Sequence, residues 1–245
     1  MNYIEKESQQ ISNWIKDIVV SANASGVVLG LSGGIDSAVV AALCKKTFPN
    51  NTLCLIMPCY SDTEDEEHAR LIAKKLDLEV KKIDLNPIYD SFRKEAGALF
   101  DESKYLLGNV KSRLRMITLY YFAANYNYLV AGPTNKSEFM IGYFTKHGDS
   151  GADIMPIADY IKKEIFELAK FLGIPEEIIN KTPTAGLWAG QTDEEEMEFT
   201  YNQLDNYIIQ NDTDLEVKNK IEGMILRSKH KRNFPKIYRR SNKLI

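Results

Sequence analysis

Apolar residues recur at helical spacing from Ile4 through Ile11, Trp14, Ile15 and Ile18 to Val19, which predicts an amphipathic helix at the start of the chain. The pattern then changes. Gly26-Val27-Val28-Leu29-Gly30-Leu31 and Leu53-Cys54-Leu55-Ile56-Met57 are short continuous apolar runs, the mark of strands covered on both faces. Between them, after Ser32-Gly33-Gly34, the stretch from Asp36 to Lys46 reads as a helix. The acidic cluster from Asp62 to Glu67 opens another, with Ala69, Ile72, Ala73 and Leu76 as its apolar stripe, because negative charge suits the positive end of a helix dipole. A third strand is expected from Val80 to Leu85, a helix from Asn86-Pro87 to about Ala96, and a long helix from Asn109 to Asn127. Tyr128 to Ala131 reads as a fourth strand, ended by Gly132-Pro133. Phe139 to Asp159 lacks periodicity, and helices resume at Ile161–Leu172, Pro175–Asn180, Glu194–Ile209 and Leu215–Lys229. Strands and helices alternating at this pitch predict an α/β fold, a doubly wound parallel sheet flanked by helices. No repeat, low-complexity tract or linker divides residues 1–245, so one domain is expected.

Composition narrows the function classes. Of 245 residues, 44% are apolar and 27% charged, which excludes a disordered, collagen-like or disulfide-stapled chain. With 31 Lys and Arg against 34 Asp and Glu the net charge is −3, a poor balance for bulk nucleic-acid binding. Cys44, Cys54 and Cys59 form no CxxC pair, which argues against zinc and against a disulfide framework. The N-terminal stretch is polar, and no apolar run approaches the ~20 residues that span a bilayer. A reduced, cytoplasmic protein without membrane contact is expected.

Three loops carry candidate chemistry. Gly30-Leu31-Ser32-Gly33-Gly34-Ile35-Asp36-Ser37 links the first strand to its helix. Small residues let backbone amides approach a phosphate, the helix start adds positive partial charge, and Ser32 and Ser37 supply hydroxyl donors. It is neither a Walker loop nor GxGxxG. Gly132-Pro133-Thr134-Asn135-Lys136-Ser137-Glu138 follows the fourth strand. If that strand lies beside the first, both loops face the crevice at the reversal of strand order, and Asp36 and Glu138 become a Mg²⁺ pair on nucleotide phosphates. The long stretch from Gly142 to Asp153 offers Lys146 for an anion and Asp149 and Asp153 to orient a polar group or an amine. Arg113 and Arg115 cannot share one helix face. From Arg227 to Lys243 there are eight Lys and Arg, His230 and no acid.

Several motifs carry a family resemblance. SGGIDS resembles the pyrophosphate loop of the N-type ATP pyrophosphatases. GNVKSRLRM (Gly108 to Met116), NKSE (Asn135 to Glu138), GYFTKHGDSGADIMP (Gly142 to Pro156), KTPTAGLW (Lys181 to Trp188) and KHKR (Lys229 to Arg232) are similar, in this order, to ammonia-dependent NAD synthetases. The resemblance implies an adenine nucleotide alpha hydrolase-like fold and ATP held by Gly30 to Ser37, with Lys162 and Thr184 at ATP-phosphate positions. It implies Mg²⁺ on Asp36 and Glu138, and deamido-NAD on Arg113, Lys146, Asp153, His230 and Lys231. Where the family commonly has Gly-Thr-x-Asn, this chain has Gly132-Pro133-Thr134-Asn135, so the ATP-contacting position falls on Thr134 or on Pro133.

The implied reaction joins AMP from ATP to the nicotinate carboxylate of deamido-NAD, releases pyrophosphate, and lets ammonia displace AMP to give NAD. Lys162 and Asp149 are the candidate catalytic residues, with Asp149 or Asp153 taking the ammonium proton. The length leaves no room for a glutaminase domain, so free ammonia is the expected nitrogen source, and a homodimer is implied. The alternatives are a tRNA-adenylating relative, whose RNA strip would be the basic C-terminal stretch, and a nucleotide-binding regulator without turnover.

Overall fold

The computed structural model describes residues 2–97, 103–188 and 190–239. Four strands form one parallel sheet in the order β3-β2-β1-β4: β1 (Gly26–Gly30), β2 (Thr52–Ile56), β3 (Glu79–Lys82) and β4 (Tyr128–Val130). Val27 pairs with Thr52 on one side of β1 and with Leu129 on the other. The chain therefore steps outward from β1 through β2 to β3 and then returns to the opposite side of β1. That reversal sets the C-terminal ends of β1 and β4 side by side.

Both faces are covered because the central strands alternate their contacts. Val27 and Leu29 of β1 and Cys54 and Ile56 of β2 face a core shared with α1 (Tyr3–Ser21), α2 (Ile35–Thr47), α3 (Thr63–Lys75) and α7 (Lys162–Phe171). Val28, Leu53, Leu55 and Val130 face the other side, against Tyr89 of α4 (Asn86–Ala96) and Met116, Leu119 and Ala123 of α5 (Lys104–Tyr126). The sheet is thus doubly wound, as the apolar runs predict. A third cluster lies away from the sheet: α6 (Lys136–Ile141), α9 (Asp193–Met197), α10 (Tyr201–Gln210) and α11 (Leu215–Ser228) pack Ile141, Met197, Leu204 and Ile221 together. A single turn, α8 (Glu176–Ile179), follows α7.

Several boundaries differ from the expectation, each for a local reason. α5 begins at Lys104, because Ser103 caps it by accepting the Leu106 N–H at 3.2 Å. β3 ends at Lys82, and its outer position fits its polar sequence: short, charged strands suit a sheet edge. The expected Glu194–Ile209 helix is two helices. Glu198 takes a left-handed conformation with φ 64°, and Thr200 with Gln203 forms a capping box that starts α10 afresh. Within the stretch expected to be irregular, Ala131 bridges Ile154 in parallel, and one turn of 3₁₀ helix spans Asp149–Gly151. The part of the basic C-terminal stretch at 240–243 lies outside the described residues. No helix among the described residues is long and apolar enough to cross a membrane.

At Gly26 a Cβ would run into the Asn51 carbonyl oxygen and lie 2.8 Å from the Tyr128 ring, so β1 sits where no side chain fits. Gly26→Ala is expected to lower stability by about 1–3 kcal/mol, as overpacking does. Urea unfolding measures it, and an unchanged midpoint would show that β1 is less tightly enclosed than this.

Candidate functional site

The loops after β1 and β4 open into one cavity of about 520 Å³. Its floor is the phosphate-type loop: Gly30, Leu31, Ser32, Gly34, Ile35, Asp36 and Ser37 all line it. The Ser37 hydroxyl lies 3.0 Å from that of Ser32 and donates to the Gly34 carbonyl at 2.9 Å, which fixes the loop as a tight turn. Gly33 does not line the cavity. Its φ of +82° is left-handed, and a Cβ there would strike the Asp65 carbonyl of α3, so glycine is required where α3 backs the loop.

At the centre, the Lys162 ammonium lies 2.6 Å from Asp36 Oδ2 and 3.4 Å from Glu138 Oε1. Lys162 is 2% exposed. Burial opposes its charge, but Asp36 and Glu138 outweigh burial and hold the ammonium above its ordinary pKa. Three elements converge here. Asp36 comes from the first turn of α2, and Lys162 from the first turn of α7. Glu138 comes from the first turn of α6, where Asn135 and Glu138 form a capping box. The Asn135 side chain also donates to Asp36 Oδ1 at 2.9 Å.

A third carboxylate, Asp193, borders the cluster. The Tyr201 hydroxyl lies 2.8 Å from Asp193 Oδ2 and 3.1 Å from Glu138 Oε1. One phenol proton cannot serve both carboxyl groups, and three carboxyl groups lie around the single Lys162 ammonium. Burial raises the pKa of Glu138, with Asp36 adding to it and Lys162 opposing it, and burial likewise raises Asp193. Oxygen ligands in excess of cations suit a hard divalent ion. Among the described residues no three His, Cys, Asp or Glu are arranged to hold a metal by themselves.

The remaining predicted residues divide into two groups. Thr134, Asp149, Thr184 and Lys231 line the cavity, and Thr134 is buried beside Pro133, which lines it too. The Ser112 hydroxyl and the Thr145 N–H donate to Asp149 Oδ1 at 2.7 and 3.0 Å; burial raises the Asp149 pKa and these bonds oppose it. Lys231 donates to the carbonyls of Gly142 and Phe144 at 2.9 and 2.8 Å. Arg113, Lys146, Asp153 and His230 lie outside the cavity wall. Arg113 donates to the Lys146 carbonyl at 3.3 Å and Lys146 to the His230 carbonyl at 2.9 Å, so three of them form a chain along the rim. Asp153 accepts the Val130 N–H at 2.8 Å and the Tyr120 hydroxyl at 2.9 Å, which ties it to β4. Arg115 points away from Arg113, donating to the Met57 carbonyl at 3.2 Å and to Ser61 at 3.0 Å.

A profile of the NAD synthase family matches residues 7–235. The chain belongs to the NAD synthase family. An NH₃-dependent NAD⁺ synthetase of Finegoldia magna is 52% identical over 239 residues, 97% of each chain. One from Carboxydothermus hydrogenoformans is 47% identical over 95% of this chain and 97% of its own. Among solved structures, the NMN synthetase of Francisella tularensis superposes with a TM-score of 0.93 at 38% identity, covering 97% of this chain and 99% of that one. The NH₃-dependent NAD synthetase of Campylobacter jejuni does so with 0.81 at 32% identity, covering 98% of this chain and 100% of that one. These relatives share the adenine nucleotide alpha hydrolase-like architecture described above.

Sequence reasoning passed over Asp193 and Tyr201 in this NAD synthase-family site. Asp193 sits in an acidic run that reads as an ordinary helix start, and Tyr201 is indistinguishable in sequence from a core aromatic. The one signal for them is the Thr200 capping box, which turns Tyr201 inward at the start of α10.

A carboxyl whose folded pKa lies above its unfolded value binds more protons in the native state, so stability falls as pH rises between the two values. Glu138 is such a group. Glu138→Gln is therefore expected to raise the thermal midpoint of the ligand-free protein, by a margin that grows from pH 5 towards neutral and above. A margin independent of pH would show that Glu138 is ionised in the folded chain.

Proposed function

We propose that the chain amidates deamido-NAD with free ammonia, using ATP and releasing AMP and pyrophosphate. The observation that carries this reading is the Asp36–Lys162–Glu138 cluster at the mouth of the phosphate-type loop, where the strand order reverses. A nicotinate carboxylate resists ammonia because it is an anion with a poor leaving group. Transfer of AMP cures both faults. One carboxylate oxygen attacks the α-phosphorus and pyrophosphate leaves; ammonia then attacks the carbonyl carbon, AMP departs, and one proton is lost.

Gly30 to Ser37 hold the ATP phosphates through backbone amides and the two serine hydroxyls. Lys162 faces the same oxygens and offsets the negative charge that builds at phosphorus. Thr184 contacts ATP from the opposite wall, with Thr134 or Pro133 beside it. Asp36 and Glu138 would hold Mg²⁺, whose chemistry when bound would be to screen the triphosphate and act as a Lewis acid. Lys231 and the rim residues Arg113, Lys146 and His230 bind the acceptor, with Asp153 at the β4 end. Asp149 takes the ammonium proton, and its raised pKa favours that role. Holding carboxylate and phosphorus in line supplies up to ~7–11 kcal/mol as effective concentration. The exposed Ile117 and Tyr121 on α5 favour a homodimer, which sedimentation checks.

A second acceptor is favoured by one observation. The Francisella tularensis relative is an NMN synthetase, so an acceptor ending at the mononucleotide competes with the dinucleotide. Incubation with ATP, Mg²⁺, ammonium and either deamido-NAD or its mononucleotide decides between them. Equal amounts of NAD and pyrophosphate, both requiring deamido-NAD, are expected. Preference for the mononucleotide moves the function to the shorter acceptor, and pyrophosphate without an amidated product shows that the acceptor or nitrogen donor is wrong. Lys146→Ala is expected to raise the KM for deamido-NAD more than that for ATP; an equal rise removes Lys146 from the acceptor side.

A further inference from the structure

Two lysines outside the catalytic cluster, Lys111 buried and Lys181 partly buried, converge on one segment, residues 181–188. At its start, Lys181 donates to Asp65 Oδ1 at 2.6 Å and to His68 Nδ1 at 3.0 Å, both on α3. His68 is itself 5% exposed, and its Nε2 lies 3.2 Å from Glu177 of α8. With Nδ1 accepting from Lys181, Nε2 carries the hydrogen and donates to Glu177. Near the end of the segment, Lys111 of α5 donates to the Leu187 carbonyl at 2.8 Å. Lys111 is 6% exposed, and its ammonium lies 5.6 and 6.0 Å from the ring centres of Tyr89 and Tyr60. Placing a cation there costs desolvation, so the position is not an indifferent filler of the core.

The contacts around these lysines are equally specific. Gly108 leaves a notch in α5: a Cβ there would lie 3.1 Å from the Leu187 side chain and 3.3 Å from the Trp188 ring. Trp188 stacks edge-on against Tyr105 at 5.3 Å, with the Lys104 ammonium 4.9 Å from its ring. On the other side, Asp65 touches both walls of the cavity. Its carbonyl backs Gly33 of the phosphate-type loop, while its carboxylate takes Lys181 and would lie 3.2 Å from a Cβ at Gly186. The segment therefore crosses the cavity as a strap, anchored on α3 at one end and on α5 at the other, with Thr184 between the anchors.

We propose that Lys181 and Lys111 are positioning residues for the reaction: together they hold the 181–188 strap at the distance from the phosphate-type loop that lets Thr184 reach ATP. The inference rests on the assignment of Thr184 to ATP above. His68 acts through Lys181, giving its ammonium a second acceptor beside Asp65.

The chain has two tryptophans, Trp14 and Trp188. Trp14 is exposed on α1, so a Trp14→Phe background leaves Trp188 as the sole fluorescent report of the strap. In that background, Lys181→Met and Lys111→Met are expected to increase acrylamide quenching of Trp188. They are also expected to raise the KM for ATP about tenfold with the KM for deamido-NAD within about twofold, as lost uniform binding of one substrate does. Lys181→Arg, which keeps a cation for Asp65, is expected to stay near the parent in both. Trp188 quenching equal to the parent in both Met variants overturns the proposal, as does a parallel rise in both KM values accompanied by a lower thermal midpoint. If Lys111→Met does not fold, Lys181→Met, at the partly exposed end of the strap, carries the test alone. The quenching readout needs no turnover. A parent enzyme that makes no NAD, with looser Trp188 in the variants, supports the strap and overturns only the functional reading beneath it.

Discussion

The Lys162 ammonium between Asp36 and Glu138 is the contact on which the rest of the molecule depends. A lysine that is 2% exposed is tolerated only where carboxylates and well-placed hydrogen bonds offset its desolvation. The fold supplies them through a second layer. The Lys162 N–H donates to Ser137 Oγ at 3.0 Å, Ser137 donates to Asp205 Oδ1 at 2.6 Å, and the Lys163 N–H donates to Asp205 Oδ2 at 2.9 Å. Asp205 of α10 thereby caps the start of α7 and locks α6 against it, which fixes where both Lys162 and Glu138 begin. The starts of α2, α6 and α7 are thus coupled through one ammonium.

The same cluster carries the functional logic. Asp36, Glu138 and Asp193 surround one lysine, and burial holds the Glu138 and Asp193 carboxyls above their ordinary pKa because a single ammonium does not offset all three. Such a site suits a cation, and on the proposed reading a polyphosphate arriving with its metal would supply it while bringing charge that Lys162 and the loop amides take up. An acidic protein can thus bind two anionic nucleotides. On the proposed reading, the cations that meet them are placed individually, at Lys162, Lys231 and along the Arg113–Lys146 rim, rather than spread over the surface.

The central strands and the phosphate-type loop were legible in the sequence because parallel strands covered on both faces are continuous apolar runs, and because Gly33 and Gly34 leave little choice of turn. The pairing of β4 with β1 is only a condition in the sequence; the sheet meets it, and with it Asp36 and Glu138 reach the same lysine. What stayed hidden was tertiary in origin. The helical periodicity from Glu194 to Ile209 runs unbroken through the point where Glu198 turns left-handed, and only the Thr200–Gln203 box marks the restart. Asp193 and Tyr201 gain their importance from that break, which brings α9 and α10 onto the cluster. Lys111 and Lys181 were similarly mute: a lysine on a helix face reads as solvated until the fold closes tyrosines or a histidine around it.

The most direct test of the account follows one oxygen atom. With deamido-NAD labelled by ¹⁸O in its nicotinate carboxylate, the account predicts that one labelled oxygen appears in the phosphate of AMP and none in pyrophosphate. Lys162→Met should form neither labelled AMP nor NAD while still binding deamido-NAD. Label that stays out of AMP, or a Lys162→Met protein that transfers it at the parent rate, would contradict the claim that this buried cluster is where the carboxylate meets the α-phosphorus.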